Sequence, residues 1–149
     1  DQNKNESKGK SGILEEKAGV INAAISRKPG SIIEREINSN GEDAITNYKV
    51  LEEYNNQYSL LEFVLETGRT HQIRVHCKYL NHPLLGDTLY GNKHQNFDGQ
   101  ALIAYKIEFI HPITKNKMEI ISKIHFQKEN ILQFVKVYLK KKVEQLNHI

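Results

Sequence analysis

The chain has 149 residues, of which 38% are hydrophobic and 26% charged, as is typical of one globular domain with a single core. Its lone cysteine excludes an internal disulfide, and its apolar runs all fall short of the roughly 18 residues that cross a membrane. A net charge of +3 permits an anionic partner such as RNA without requiring one. These properties together favour a cytoplasmic protein of one domain.

The first twelve residues differ in composition from the remainder. Residues 1–12 consist mainly of Lys, Asn, Ser, Glu and Gly, and no apolar side chain precedes Ile13. A segment this polar cannot bury enough apolar surface to fold, and it lacks the apolar stretch of a secretory signal. We therefore predict a disordered arm over 1–12, followed by a folded portion over 13–149.

Four strands are predicted in the first half of the folded portion. The β-branched segments 20–25 and 32–37 are separated by Lys28-Pro29-Gly30, which is a turn signal. Segments 44–54 and 57–66 follow, and apolar residues alternate in the second of them, as in a strand with one buried face. Asn55-Asn56 between them suits a tight hairpin, because Asn tolerates positive φ. The alternating apolar positions are Leu61, Phe63 and Leu65.

A helix is predicted after the second of these hairpin strands. Thr70 is expected to cap a helix that runs to about Leu80, its hydroxyl accepting from the free amides of the first turn. Pro83 lies shortly after its end. One side of this helix is expected to pack and the other to meet a ligand. The packing side carries Ile73, Cys77 and Leu80, and the other side carries Gln72, Arg74 and Lys78.

The last third of the chain is predicted to add two strands and a second helix. Residues 101–110 alternate as a strand, and 118–121 pair back after a turn at His111-Pro112. Apolar residues at helical spacing predict a helix over 129–146, whose lysines form either a solvated face or an RNA contact. The fold class is therefore α+β, a mostly antiparallel sheet with two main helices. The helical stripe is Leu132, Val135, Leu139, Val143 and Leu146, and the lysines are Lys136, Lys140, Lys141 and Lys142.

Residues 65–91 combine two Arg, three His, a Gln and an Asp with three Gly and one Pro. Arg69 would lie at a strand end beside a helix N-terminus, a position that favours an anion. Alternatively, Arg69 and Arg74 pair with Glu62 or Glu66 on the surface. The histidine spacing, five residues between His71 and His76, argues against a metal site. Cys77 is expected to be a small buried hydrophobe.

Taken as a unit, this segment resembles the RluA-type pseudouridine synthases. Similar stretches occur before and after it, so the resemblance covers about residues 12–122, with Ile103 departing from the family's usual His. The motif residues are Leu65-Glu66-Thr67-Gly68-Arg69-Thr70-His71-Gln72-Ile73-Arg74-Val75-His76, then His82-Pro83, Gly86-Asp87 and Tyr90-Gly91. The flanking matches are Gly19-Val20-Ile21, Ile25-Ser26-Arg27, Ala44 to Val50, Gln100 to Ala104, and Phe109-Ile110-His111-Pro112 with Thr114.

The resemblance implies an enzyme that converts uridine in rRNA or tRNA to pseudouridine without a metal or organic cofactor. The target nucleotide is flipped out of its stack, and an Asp attacks it. By the same resemblance, Arg69 forms an ion pair with that Asp and keeps it ionised, and Thr70, His71, Gln72 and Arg74 contact the RNA.

The nucleophile of that family lies in a His-Arg-Leu-Asp segment followed by Thr-Ser-Gly, and this chain does not contain it. We therefore expect the chain to be the C-terminal portion of a catalytic domain, inactive alone and completed by the missing N-terminal half. Unpaired sheet edges would promote self-association. The alternative is a non-catalytic RNA-binding module on the same scaffold. The aspartates present are Asp1, Asp43, Asp87 and Asp98.

Overall fold

The computed structural model describes residues 13–54, 56–94, 97–121 and 135–141, so the predicted arm over 1–12 lies outside it. Within these residues the chain forms eight strands and one helix. In chain order they are β1 (Ala18–Asn22), β2 (Ile25–Arg27), β3 (Arg35–Ile37), β4 (Ile45–Tyr54), β5 (Tyr58–Leu65), α1 (Gln72–Tyr79), β6 (Ile103–Ile110), β7 (Lys117–Ile121) and β8 (Val135–Lys141).

Six strands form one sheet in the order β1-β4-β5-β8-β6-β7, and β2 and β3 form a separate two-stranded ribbon. All pairings are antiparallel except those of β8, which runs parallel to both of its neighbours. The predicted mostly antiparallel α+β fold is therefore confirmed. Strands β1 and β7 lie at the two edges of the large sheet within the described residues.

The predicted hairpin of segments 44–54 and 57–66 is confirmed by β4 and β5. Their register runs from Thr46↔Leu65 to Tyr54↔Tyr58, with an irregularity near Leu51. Asn56 in the connecting turn has φ of 54°, the left-handed conformation that its residue type tolerates. The three alternating apolar residues of β5 are all buried, with Phe63 fully enclosed.

The first predicted strand, 20–25, was placed wrongly, because the chain divides there between two sheets. Strand β1 pairs with β4 in the large sheet, whereas β2 pairs with β3 in the ribbon. The chain turns at Ala23 and Ala24, where the amide of Ala23 donates to the carbonyl of Ala44. The ribbon's connection includes Gly30, with φ of 82°, as the predicted turn requires.

The second predicted helix, 129–146, is wrong over the part that is described. Residues 135–141 form β8, and the remainder of the predicted helix lies outside the described residues. The sequence Val135-Lys136-Val137-Tyr138-Leu139 also alternates with period two, and β-branched and aromatic residues favour strands. A central position between β5 and β6 decides the conformation in favour of the strand, since both neighbours need its backbone hydrogen bonds.

The helix α1 begins one residue later than predicted. Its N-cap is His71, in the left-handed conformation with φ of 56°, and no side chain caps it. The predicted cap by Thr70 is therefore wrong. With eight residues α1, the one helix of the described ranges, is far below the roughly 20 needed to cross a bilayer.

The core lies between β5 and α1 and fixes the position of the turn that joins them. The helix also contacts a second buried cluster, which attaches the ribbon and the loop around Tyr90 to its other side. Cys77 is buried in the main core, as predicted, and burial raises the pKa of its thiol. The main cluster is Leu14, Leu61, Phe63, Leu65, Ile73, Cys77 and Leu84, and the second is Ile25, Ala44, Val75 and Tyr90.

Candidate functional site

The turn between β5 and α1 is held by the side chain of Gln72. Its Oε1 accepts the backbone N–H of Arg69 at 2.9 Å and the hydroxyl of Thr67 at 2.8 Å. The Thr67 hydroxyl in turn accepts the backbone N–H of Ile45 at 2.9 Å. The backbone of Arg69 is therefore tied to the first residue of α1 and to strand β4.

The amide nitrogen of Gln72 extends the same network into the core. It donates to the carbonyl of Ile45 at 3.1 Å and to the hydroxyl of Thr46 at 2.9 Å. Gln72 is only 3% exposed, and its four partners are all within the protein. This burial differs from the predicted ligand-facing position, because the helix begins at Gln72 and directs its side chain at the sheet. The placement supports a structural role for Gln72.

His76 closes the network at its far end. Its Nε2 donates to the carbonyl of Ala23 at 2.9 Å, so its Nδ1 accepts the hydroxyl proton of Thr46 at 2.8 Å. Burial lowers the pKa of His76, although the Ala23 carbonyl acts in the opposite direction. His76 is therefore a neutral structural residue. Among the described residues, no three His, Cys, Asp or Glu side chains are grouped to hold a metal ion.

The side chain of Arg69 lies over the loop that precedes β4. Its Nε donates to the carbonyl of Asp43 at 2.7 Å, and its Nη1 lies 3.3 Å from the carboxylate of Glu42. The Glu42 side chain is 74% exposed, so this ion pair is weak. The proposed alternative partners, Glu62 and Glu66, are not those that Arg69 contacts here.

Arg74 makes a bidentate ion pair with Asp87. Its Nε and Nη2 lie 2.9 and 2.8 Å from the two carboxylate oxygens, and Asp87 is fully buried. Burial would raise the pKa of Asp87, but the hydrogen bonds from Arg74 and from the amides of Tyr90 and Leu89 outweigh it and lower the pKa. The guanidinium of Arg74 also lies 5.1 Å from the centre of the Tyr90 ring. Its charge is therefore largely compensated within the protein.

Tyr90 connects α1 to the ribbon. Its hydroxyl accepts the backbone N–H of Arg35 at 2.9 Å and lies 2.7 Å from Nδ1 of His71. When the hydroxyl donates to Nδ1, the proton of the neutral His71 ring lies on Nε2. Burial and the nearby Arg74 and Arg35 charges lower the pKa of His71, which keeps the ring neutral at pH 7.

Two clefts meet at Arg35 and Thr70. The first has a volume of about 550 Å³ and contains Arg69 together with Glu42. The second, of about 570 Å³, contains His71 and Arg74. Thr70 is exposed between them. The other lining residues of the first cleft are Ile25, Ser26, Arg27, Asn40 and Gly41, and those of the second are Ile32, Ile33, Thr88 and Leu89.

Sequence reasoning identified Arg69, Thr70, His71 and Arg74, and the structure gathers all four around these clefts. The sequence did not single out Arg35, because its position opposite the helix depends on how the ribbon folds back. The sequence also did not predict that the hydroxyl of Tyr90 connects the helix to the ribbon, although Tyr90 is among the residues that match the family's motifs.

The chain is similar in sequence to RNA pseudouridine synthases. The family model described as RNA pseudouridylate synthase matches residues 7–79. The chain is 46% identical over 107 residues to the uncharacterized RNA pseudouridine synthase YjbO of Bacillus subtilis, covering 72% of this chain and 38% of that protein. It is 39% identical over 138 residues to the uncharacterized RNA pseudouridine synthase slr1629 of Synechocystis, covering 89% and 41%.

A further relative has a more specific name. The chain is 37% identical over 120 residues to ribosomal large subunit pseudouridine synthase D of Xylella fastidiosa, covering 71% of this chain and 36% of that protein. The chain thus spans about two fifths of the length of the curated relatives it matches.

Proposed function

Because the chain belongs to the RluA-type RNA pseudouridine synthases, we propose that the whole protein isomerises uridine to pseudouridine in structured RNA. In this proposal the chain forms the part of the catalytic domain that contains Arg69, as the C-terminal portion of that domain. The reaction requires no metal or organic cofactor. Relatives named for the large ribosomal subunit make its RNA the first substrate to test. A cytoplasmic location stays a prediction.

The observation that carries the proposal is the anchoring of Arg69 at the mouth of a cleft. Its backbone is bound to Gln72, and its Nε is bound to the carbonyl of Asp43. These contacts leave the terminal nitrogens of the guanidinium for a carboxylate. The carboxylate that now lies beside them, Glu42, is exposed and weakly held, so an incoming aspartate can replace it.

In the proposed mechanism Arg69 pairs with the nucleophilic aspartate. A guanidinium beside a carboxylate favours the ionised form, which is the form that attacks the nucleotide. Asp87 does not fit this role, because it is fully buried and both of its oxygens accept from Arg74. We infer that the nucleophile comes from another segment of the whole protein and that this chain alone is inactive.

The test compares the chain with its full-length parent on large-subunit ribosomal RNA transcribed in vitro. Because pseudouridine and uridine have the same mass, the RNA is digested to nucleosides and the two are separated by liquid chromatography before detection. We expect turnover by the full-length protein and none by the chain alone. Pseudouridine formed by this chain alone would contradict the requirement for an external aspartate. If the full-length protein binds RNA without modifying it, or modifies no uridine in ribosomal or transfer RNA, the enzymatic proposal fails and the RNA-binding module replaces it.

A further inference from the structure

The ribbon of β2 and β3 contains two arginines directly opposite each other. Arg27 and Arg35 are paired in its antiparallel register, so their side chains extend from the same face. Like charges at such positions repel each other and reduce the stability of the ribbon. A bound anion between or beside them would offset that repulsion.

Arg35 differs in its hydrogen bonding from Arg69 and Arg74, which line the same two clefts. Arg74 is bound to Asp87, and Arg69 is bound to the carbonyl of Asp43 and to Glu42. In contrast, Nη1 of Arg35 is buried and has no hydrogen-bond partner among the described residues. A buried charged donor without a partner is costly, and such a group is typically satisfied by a ligand or water.

The second cleft gathers further donors around Arg35. It contains the hydroxyls of Thr70 and Thr88 and the ring of His71, whose Nε2 carries the proton when Tyr90 donates to Nδ1. None of the described residues that line it is Asp or Glu, whereas the first cleft contains Glu42. Of the two clefts, the second therefore offers the better environment for a phosphate.

We propose that Arg35, together with Thr70 and His71, binds a backbone phosphate of the RNA in this second cleft. This inference rests on the proposed function for the identity of the ligand. A phosphate oxygen accepts from the guanidinium, the threonine hydroxyl and the imidazole N–H, and its charge compensates that of Arg35. Contacts of this kind fix the position of the nucleic acid without reading its sequence.

The Tyr90 hydroxyl joins Arg35 to the N-terminus of α1, so the proposed phosphate contact keeps a set position relative to that helix. It accepts the backbone N–H of Arg35 and also touches His71, so one atom relates the ribbon to the helix N-terminus. A phosphate held by Arg35 and His71 would therefore lie at a fixed distance from the Arg69 turn. We infer that this contact positions the flipped nucleotide relative to Arg69.

The test measures RNA affinity of the full-length protein as a function of salt concentration, with Arg35→Gln as the variant. Loss of one phosphate contact should weaken binding about tenfold at low salt. It should also reduce the slope of log affinity against log salt by roughly 0.7–0.9. The matched control is Lys28→Gln, which removes a positive charge from the same ribbon at a residue paired with Glu34 and outside both clefts. The control should retain the wild-type affinity and slope.

A second arm identifies the phosphate. RNAs with a single neutral methylphosphonate are tested at each linkage flanking the target uridine. At one linkage the neutral group should weaken RNA binding by the wild-type protein but should have little further effect on RNA binding by the Arg35→Gln variant. The idea is overturned if Arg35→Gln has the same slope as Lys28→Gln, or if no linkage gives this non-additivity. Pseudouridine formation is measured in parallel, so that loss of the phosphate contact and failure of the enzymatic proposal are separate results.

Discussion

The side-chain oxygen of Gln72 accepts the backbone N–H of Arg69 at 2.9 Å, so the first residue of α1 determines the position of the turn before it. The same side chain binds Thr67 and strand β4 and is nearly inaccessible to solvent. The position of Arg69 is thus decided by a buried amide and by the backbone rather than by surface ion pairs.

Replacing Gln72 with Leu should destabilise the protein strongly. The apolar side chain keeps a similar volume but leaves the amide of Arg69, the carbonyl of Ile45 and two threonine hydroxyls with one partner fewer. Unsatisfied buried groups cost about 1–3 kcal/mol each, so we expect a loss of about 3 kcal/mol in the free energy of unfolding. Urea denaturation measures this loss. Lys78→Leu, on the exposed side of the same helix, should change the value by less than about 0.5 kcal/mol.

Replacing Arg69 with Ala in the full-length protein should abolish pseudouridine formation while leaving RNA affinity within about threefold, because affinity depends on many phosphate contacts. The ion pair with the nucleophilic aspartate is lost, and neither Gln72 nor Asp43 can replace it. Single-turnover kinetics and equilibrium binding on the same RNA separate the two effects. Turnover at the wild-type rate in this variant would refute the proposed role of Arg69.

Removal of Arg74 should unfold the local structure around Asp87. Arg74→Met leaves a fully buried carboxylate without its partner, which costs about 3–5 kcal/mol. The double variant Arg74→Met with Asp87→Asn removes the unpaired charge and should recover part of this loss. Urea denaturation of wild type and the three variants forms a double-mutant cycle. Additive effects of the two substitutions would contradict the ion pair.

Asp87 should also make stability depend on acid. Burial would raise its pKa, but the Arg74 pair and the backbone amides lower it below the ordinary value of 3.8. Its contribution is therefore fully present above pH 3.8 and is lost as the pH falls through the lower folded-state pKa. The Asp87→Asn variant should be less stable than wild type at about pH 7. It should lose less stability than wild type as the pH falls from about 4 to about 2. Parallel acid-unfolding curves for the two proteins would show that Asp87 makes no such contribution.

His76 should add a second pH dependence nearer to neutrality. Burial lowers its folded-state pKa below the ordinary 6.5, so the unfolded chain binds the proton first as the pH falls. Stability is then complete above pH 6.5 and declines below it, by up to about 1.4 kcal/mol per pH unit for this one group. His76→Gln should flatten the decline. The free energy of unfolding at about pH 5.5 and about pH 7.5, roughly one unit to either side of the ordinary pKa, measures the difference.

Substitution by Ala should lower the stability of the protein at one glycine and leave it nearly unchanged at another. Gly86 has φ of 78°, and a Cβ there would clash with the carbonyl oxygen of Gly99, so Gly86→Ala should cost about 2 kcal/mol or more and disturb the neighbouring Asp87. Gly68, beside Arg69, has open space around the same position. Gly68→Ala should leave thermal stability nearly unchanged. Equal shifts in melting temperature for the two variants would contradict this distinction.

The parts of the fold that local patterns determine could be predicted from the sequence. Alternation of Leu61, Phe63 and Leu65 and the Asn-Asn turn predicted the β4–β5 hairpin correctly, because both signals lie within the segment itself. The segment 135–141 could not be assigned in the same way. Its residues satisfy a helical and a strand period alike, and only its neighbours β5 and β6, distant in sequence, select the strand.

The sequence predicted which residues lie near the candidate site, but it did not predict which way each side chain points. Arg69 lines a cleft, and its catalytic role stays a prediction, whereas Gln72 was expected to face a ligand and is instead buried. The reason is that His71 adopts a left-handed conformation, which delays the start of the helix and rotates the next residue towards the sheet. Arg35 carried no signal of its own, because its importance depends on a contact with Tyr90, which is 55 residues away.

Within the part of the chain that the structure describes, the ribbon of β2 and β3 shares no strand pairing with the large sheet. Two-stranded ribbons have marginal stability on their own, so this one depends on Tyr90 and on the loop that bonds to Ile25. We expect its amide protons to exchange with solvent through local openings that leave the large sheet intact. Such openings would leave the Arg69 turn in place, because Gln72 attaches it to strand β4 and not to the ribbon.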